Sequence, residues 1–428
     1  MTTKEPSVGA ALLSGLRIVE CSMLGPGAVS TPLADLGADV IKVEPPSGDY
    51  IREMSWPIIE GSALLHLHVS RGKRSITLDL KTEQGRAVFL DLVKDADAVV
   101  EAMRPGGLAR RGLGFDKLRE VNPKIVMVTI SGYGMTGPYQ DLPSHGIAYD
   151  AWAGTVAPVP GPEGLPTLPD HTSIGIAAGP LYGTAALLAG VLRARQTGEG
   201  CYLEIAQSDA AAAFDWLRSE TYRAYQRPAA EVTGNVADDY QRRAPGPAGM
   251  ADSVRYQFYA SSDGHVLFMA SERKFWQNFC SFIGRDDLYE KRPGARVADH
   301  ARGDLELRRE LAGVFRQKTS AEWVKIGQQH DIPIGPVNTP ETISDDPQFA
   351  DRMPWQPASR LIADALPFPV RVVGEAPPAA ATPAPAAGQH TEQVLAEVLG
   401  YDAGRIAELR AAGALGPQQE NAKAGAGQ

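Results

Sequence analysis

Leu16-Arg17-Ile18-Val19-Glu20, the turn Gly25-Pro26-Gly27, the stretch Val29 to Leu36, and then Asp39-Val40-Ile41-Lys42-Val43-Glu44 decide the fold class. The two β-branched runs read as buried strands, the stretch between them as a helix, and Pro45-Pro46 stops the second strand. The same alternation continues outward. Ser75 to Leu80 reads as a strand, Thr82 to Val93 as a helix with Val88, Leu90, Leu92 and Val93 apolar, and Asp97 to Glu101 and Ile125 to Ile130 as further short strands. Repeated βαβ units call for a parallel sheet covered by helices. Residues 1–221 are therefore expected to form the first part of an α/β domain with a parallel sheet covered by helices.

The texture changes near Tyr222. Residues 222–250, and Arg227 to Met250 above all, are polar and rich in Pro and Gly, which suits a linker or crossing arm. Tyr256 to Ala270, interrupted by Asp263-Gly264, reads as a hairpin. Phe275 to Ile283, Leu305 to Gln317 and Ala321 to Gln329 read as helices, the last started by Thr319-Ser320-Ala321-Glu322. Residues 251–340 are thus expected to form a smaller α+β domain. Residues 341–415 would return to the large domain through a Pro/Ala linker, Ala376 to Gly388, and two amphipathic helices, Thr391 to Leu399 and Ile406 to Ala411. Residues 416–428 read as a disordered tail.

The chain has 428 residues, 42 Lys and Arg against 51 Asp and Glu, and a net charge of −9. With 43% hydrophobic residues it can bury sizeable cores, and its acidity speaks against a nucleic-acid partner, which needs a basic stripe. Cys21, Cys201 and Cys280 are scattered and form neither a disulfide framework nor a zinc motif, which fits a reducing cytoplasm. Thr172 to Leu192 is uncharged and long enough to span a bilayer. Its Gly175, Gly179, Pro180, Gly183 and Gly190 instead suit a closely packed core helix, so no membrane partner is expected.

Two glycine patterns invite a dinucleotide reading. Gly25 and Gly27 lack the third glycine of the phosphate loop, and Pro26 restricts the turn. Gly132, Gly134 and Gly137 have the full spacing, but Pro138 and Pro143 follow and no helix is expected there. NAD is therefore not expected. The basic loop Ser70-Arg71-Gly72-Lys73-Arg74-Ser75, with Arg104 and Arg110-Arg111 beyond it, could clamp a phosphate or equally be a solvated loop. His66 and His68 alternate on an expected strand without a carboxylate partner, so no metal site is expected. His145 and His171 lie in loops, where functional residues concentrate.

Taken in order, these loops resemble the family III CoA-transferases, which include formyl-CoA and carnitine CoA-transferases and α-methylacyl-CoA racemases. The resemblance rests on Leu36-Gly37-Ala38-Asp39 to Glu44, Gly48-Asp49, and Arg71-Gly72-Lys73-Arg74-Ser75 to Leu80. It continues through Val100-Glu101, Arg104-Pro105-Gly106, Leu113-Gly114, Asn122-Pro123, Ser131-Gly132-Tyr133-Gly134, Thr136-Gly137-Pro138 and Thr197-Gly198-Glu199-Gly200. Asp263-Gly264, Trp323, Pro333, Gly335-Pro336-Val337, Gly388 and His390-Thr391 complete it. The resemblance implies a large domain with a Rossmann-like sheet, a small domain, two subunits threaded through each other as an interlocked dimer, and CoA as ligand. By position it implies Met23, Leu24 and Gly25 at the nucleotide, Lys73, Arg74 and Arg110 at the phosphates, and Ala102 and Met103 beside the pantetheine. Tyr133 falls in the family loop near the reacting centre.

One departure stands out. The family's transferases carry an aspartate at the start of a long aliphatic helix, and its carboxylate attacks the thioester. Here that position falls on Gly175, or on Ile176 by ungapped counting. Asp170 is five residues before Gly175, a stretch of up to roughly 17 Å if extended, so it substitutes only if the loop is rebuilt. The racemase branch uses a histidine, matched by His145, the same aspartate, and a glutamate matched by Glu272. Three readings follow: a transferase with Asp170 displaced, a subunit paired with a homologous chain that carries the aspartate, and a racemase or isomerase using His145. A non-catalytic CoA-binding subunit shares the fold. Succinyl-CoA is a donor the resemblance allows.

Overall fold

The computed structural model describes residues 12–244, 249–374 and 382–417, so parts of the expected crossing arm and linker, and nearly all of the expected tail, lie outside the described residues. The chain divides into two units, Met1–Phe214 with Asp351–Gln428, and Asp215–Ala350.

The first unit is built on six strands: β1 (Arg17–Cys21), β2 (Asp39–Glu44), β3 (Arg74–Thr77), β4 (Ala98–Glu101), β5 (Val126–Ser131) and β6 (Tyr202–Ala206). They lie in the order β3-β2-β1-β4-β5-β6 and every pairing is parallel. This is a doubly wound order, whose direction reverses between β1 and β4. The central strands are buried along nearly their whole length because helices cover both faces, which is why they read as continuous apolar runs. On one face Val88, Phe89, Leu92 and Val93 of the helix Glu83–Lys94 pack on Val19, Ile41 and Ile76. On the other, Leu187, Val191 and Ala194 of the helix Ile174–Thr197 pack on Val100, Val126 and Val128.

That second helix has the length and composition to cross a membrane, yet its glycines are fitted to this sheet. A Cβ at Gly183 would stand 2.9 Å from Ile130 Cδ1, and one at Gly190 would stand 2.7 Å from Val126 Cγ1. Its small residues thus let the helix approach the strands more closely than side chains would permit. The C-terminal part of the chain returns to the β3 edge. His390 N donates to Ser75 O, Gly388 N to Ser75 Oγ, and Gly416 N to Thr77 Oγ1. The two helices Thr391–Glu397 and Ala403–Ala411 then pack Val394, Leu395 and Leu409 into the core formed with Ile76 and Leu78.

Two local readings are corrected. Val29 to Leu36 is not one helix: a 3-10 turn, Gly25–Val29, gives way to a single α turn, Thr31–Asp35, because Pro32 has no N–H to continue the earlier ladder. His66 and His68 lie on a helix, Leu64–Val69, so the pair does not share a strand face; six alternating residues are too few to separate the two periods. His66 is buried and His68 exposed.

In the second unit β7 (Tyr256–Ala260), β8 (His265–Met269) and β9 (Ile334–Pro336) form an antiparallel sheet. Its β7–β8 hairpin turns through Asp263-Gly264. The helices Arg273–Phe282, Leu305–Phe315 and Ser320–His330 bury Trp276, Phe279, Phe315 and Trp323 against Phe268. The helix start at Thr319 is a complete capping box with Glu322.

Candidate active site

Open α/β sheets bind ligands outside the carboxyl ends of their strands, where the strand order reverses. Here that point lies between β1 and β4, whose last residues, Cys21 and Glu101, are paired. The loops that follow them are Ser22-Met23-Leu24-Gly25 and Ala102-Met103, so two segments 80 residues apart in sequence emerge side by side. Met23 is 41% exposed. Leu24 holds φ 60° and ψ −147°, a backbone region that suits glycine, and such strain in a non-glycine residue collects at functional sites. The loop after β4 is tied down by Glu101, whose carboxylate accepts from Met103 N at 2.7 Å and from Thr129 Oγ1 at 2.5 Å. Burial pushes the Glu101 carboxyl up, against those two hydrogen bonds. Arg110 is exposed, with Nη1 donating to Pro105 O at 2.7 Å.

Lys73 and Arg74 do not share this exposure. Lys73 is 2% exposed, and its Nζ donates to Glu20 Oε2 and to Gly27 O, both at 2.7 Å. Glu20 is also met by Lys42 Nζ at 3.3 Å, by Ser22 Oγ at 2.9 Å, and by Ser30 Oγ. Burial works to raise Glu20, but the Lys73 and Lys42 ammoniums overcome it and hold the carboxyl down to about 2. Burial pushes Lys73 down to about 8, against the pull of Glu20. Lys42 also meets Asp49 Oδ2 at 2.9 Å. This closed network holds the Gly25–Val29 turn from beneath. Arg74 leans instead toward the start of β2 and pairs with Asp39 at 2.6 Å, beside Arg17.

The second part of the site is the start of the helix Ile174–Thr197. Its residue Ser173 makes no capping bond with its side chain. The exposed amides are capped from far away in sequence: Asp150 Oδ1 accepts from Ile174 N at 2.8 Å and from Gly175 N at 3.1 Å. Gly175 is tightly enclosed, since a Cβ there would lie 2.6 Å from Tyr149 Cβ and 3.1 Å from Gln207 O. The family's aspartate could not be restored at 175 without moving Tyr149. Ile176 is 39% exposed and faces no such barrier. Tyr149 also reaches the loop after β5, because a Cβ at Gly132 would lie 3.2 Å from its ring. Tyr133 stands edge-on to Tyr149, Tyr139 and Trp152. The loop Gly132 to Gly137 opens no helix; the next begins at Ala148.

Asp170 and His145 are both exposed on loops of this unit. Glu272, also exposed, precedes the helix Arg273–Phe282 in the other unit. Sequence reasoning passed over Asp150, which no motif marks. Its one signal is a carboxylate at the start of the short helix Ala148–Ala153, directly after the buried Tyr149. No group of His, Cys, Asp and Glu able to hold a metal occurs among the described residues.

A doubly wound sheet with a strained loop at its switch point defines an α/β protein whose candidate ligand site lies at the carboxyl ends of its strands. The chain belongs to CoA-transferase family III, whose model matches residues 13–391. It is 32% identical, over 82% of this chain and 88% of the relative, to a probable fatty acyl-CoA transferase of Mycobacterium tuberculosis. It is 30% identical to the succinyl-CoA–L-malate CoA-transferase beta subunit of Chloroflexus aurantiacus (93% and 96% covered) and 29% identical to the succinate–glutarate CoA-transferase of Agrobacterium fabrum (90% and 95%). A crystal structure of the mycobacterial protein superposes with a TM-score of 0.69 at 27% identity, covering 91% of this chain and all of the other. The chain is accordingly an enzyme of the CoA-transferase class, with CoA thioesters and carboxylic acids as substrates.

Proposed function

We propose that this chain moves CoA from a dicarboxylic acyl-CoA, succinyl-CoA the first to test, to a second carboxylic acid. The observation that carries the reading is the adjacency of the Met23–Gly25 and Ala102–Met103 loops at the switch point. In this reading the nucleotide lies against Met23, Leu24 and Gly25, the pantetheine follows Ala102 and Met103, and Arg110 supplies charge to the phosphates. Lys73 acts through Glu20 and the turn that carries Gly25, and Arg74 through Asp39. Tyr133 borders the acyl end. The names of two of the relatives include succinyl-CoA or succinate, which supports succinyl-CoA as the donor to test. The setting is a reducing cytoplasm, in keeping with three free cysteines.

A second arrangement is favoured by one observation, the absence of a carboxylate at both Gly175 and Ile176. The chain would then work as an interlocked pair with a homologous subunit, as the name of the Chloroflexus relative suggests for that protein. The test is to incubate the purified chain with succinyl-CoA and a panel of carboxylic acids and follow CoA thioesters by mass spectrometry. A new thioester formed in step with free succinate is expected. Tight CoA binding with no new thioester for any acid would overturn transfer by the chain alone.

A further inference from the structure

The cap on the long helix uses only half of the Asp150 carboxylate. Asp150 is fully buried, Oδ1 takes both helix amides, and Oδ2 has no hydrogen-bond partner among the described residues. Leaving a buried carboxylate oxygen unpaired is costly, and such an atom calls for a functional explanation. His171 lies close by: its Nε2 is 3.8 Å from Oδ2 and is itself buried with no hydrogen-bond partner among the described residues. A movement of about 1 Å would bring the two into hydrogen-bond range. The His171 side chain is nevertheless 20% exposed, so other atoms of the residue reach the surface. A helix cap alone needs neither the free oxygen nor the histidine.

We propose that Asp150 and His171 form a carboxylate–imidazole pair that does the work of the missing aspartate. His171 is the catalytic residue, and Asp150 is a positioning residue. The inference rests on the transferase reading above and adds the nucleophile to it. With the Nε2 proton turned toward Asp150, the ring's lone pair is on Nδ1. Nδ1 attacks the thioester carbonyl carbon, the C–S bond breaks, and the CoA thiolate leaves with the electron pair. The acyl-imidazolium so formed carries a positive charge that the Asp150 carboxylate offsets. An oxygen of the acceptor carboxylate then attacks the acyl carbon, and the C–N bond breaks, returning the lone pair to Nδ1 and leaving a mixed anhydride of the two acids. The thiolate attacks the acceptor's carbonyl carbon, and the donor acid departs as its carboxylate. The protons balance, because Nε2–H is kept throughout.

The test uses the full chain with succinyl-CoA, quenched within one turnover and digested for mass spectrometry. A succinyl group on His171 is expected; a succinyl group on Asp170, or on any other carboxylate, would overturn the proposal. Two variants add an independent readout. Asp150→Asn keeps an oxygen for the helix amides but loses the charge. A cap alone predicts unchanged turnover, whereas the pair predicts kcat lower by about a hundredfold with KM within about threefold. His171→Gln should abolish the succinyl adduct while CoA affinity by calorimetry stays the same. Wild-type kcat in both variants would contradict the pair and leave the transferase reading standing. An inactive wild-type chain that binds CoA would instead remove the transferase reading on which it rests.

Discussion

Lys73 Nζ stands 2.7 Å from Glu20 Oε2, and neither side chain has any exposed surface. Removing the ammonium leaves the buried Glu20 carboxylate with only one cation, Lys42, at the longer distance of 3.3 Å, and breaking a buried pair from one side costs up to about 3–5 kcal/mol. Lys73→Met is therefore expected to lower unfolding stability by that amount in urea titrations. Adding Glu20→Gln to the same chain should recover much of the loss, because it removes the stranded carboxylate.

The same network sets an acid limit. Glu20 is held at about 2 in the folded chain against an ordinary value of 4.5. Its contribution is present in full above pH 4.5 and is lost as pH falls toward 2; the shift is worth about 3 kcal/mol. His66 acts at higher pH. Burial first, and then Arg52, lowers it from 6.5 to about 4, so the unfolded chain takes up the proton earlier. Stability should fall as pH drops from 6.5 to 4, and His66→Gln should flatten that part of the curve in thermal melts while leaving the Glu20 region unchanged.

Arg110 and Arg74 are expected to separate. Arg110→Glu should weaken CoA binding by calorimetry about tenfold or more, in line with the loss of a charged hydrogen bond, with little change in melting temperature. Arg74→Ala should leave CoA affinity within about twofold and lower stability modestly, as expected for a partly exposed ion pair with Asp39. The reverse pattern would place the phosphates beside Arg74.

Gly175 and Ile176 offer a direct probe of the helix start. Gly175→Asp forces a side chain into Tyr149 and should cost about 1–3 kcal/mol or more of stability. Ile176→Asp meets no such obstacle and places a carboxylate in the first turn, where the helix dipole favours it. Ile176→Asp should be well folded by circular dichroism and Gly175→Asp should melt earlier.

Much of the fold could be read in the residues. The β-branched runs at Ile18, Ile41, Val99 and Val128 are periodic only in the way that strands buried on both faces are, and the glycines of the long helix announced its close packing. Positions of charge were harder to read. Lys73 and Arg74 are neighbours in sequence, yet Lys73, just before the strand, is buried on Glu20, while Arg74, its first residue, turns to Asp39. Asp150 was harder still to see. Its role arises from a contact across 24 residues with the amides of Ile174 and Gly175, and backbone amides leave no mark on a sequence. The His66 and His68 alternation misled because a six-residue helix and a strand share too few positions to differ.

The route of oxygen tests most directly whether transfer proceeds without a carboxylate nucleophile on the enzyme. The purified chain, at a concentration equal to that of succinyl-CoA, would be given an acceptor acid labelled with oxygen-18 in its carboxylate, and the first turnover analysed. Attack of the acceptor on an acyl-His171 carries one labelled oxygen straight into the released succinate and none into the protein. Unlabelled succinate, with oxygen-18 in an aspartate or glutamate of the chain at the end of that turnover, would contradict this account.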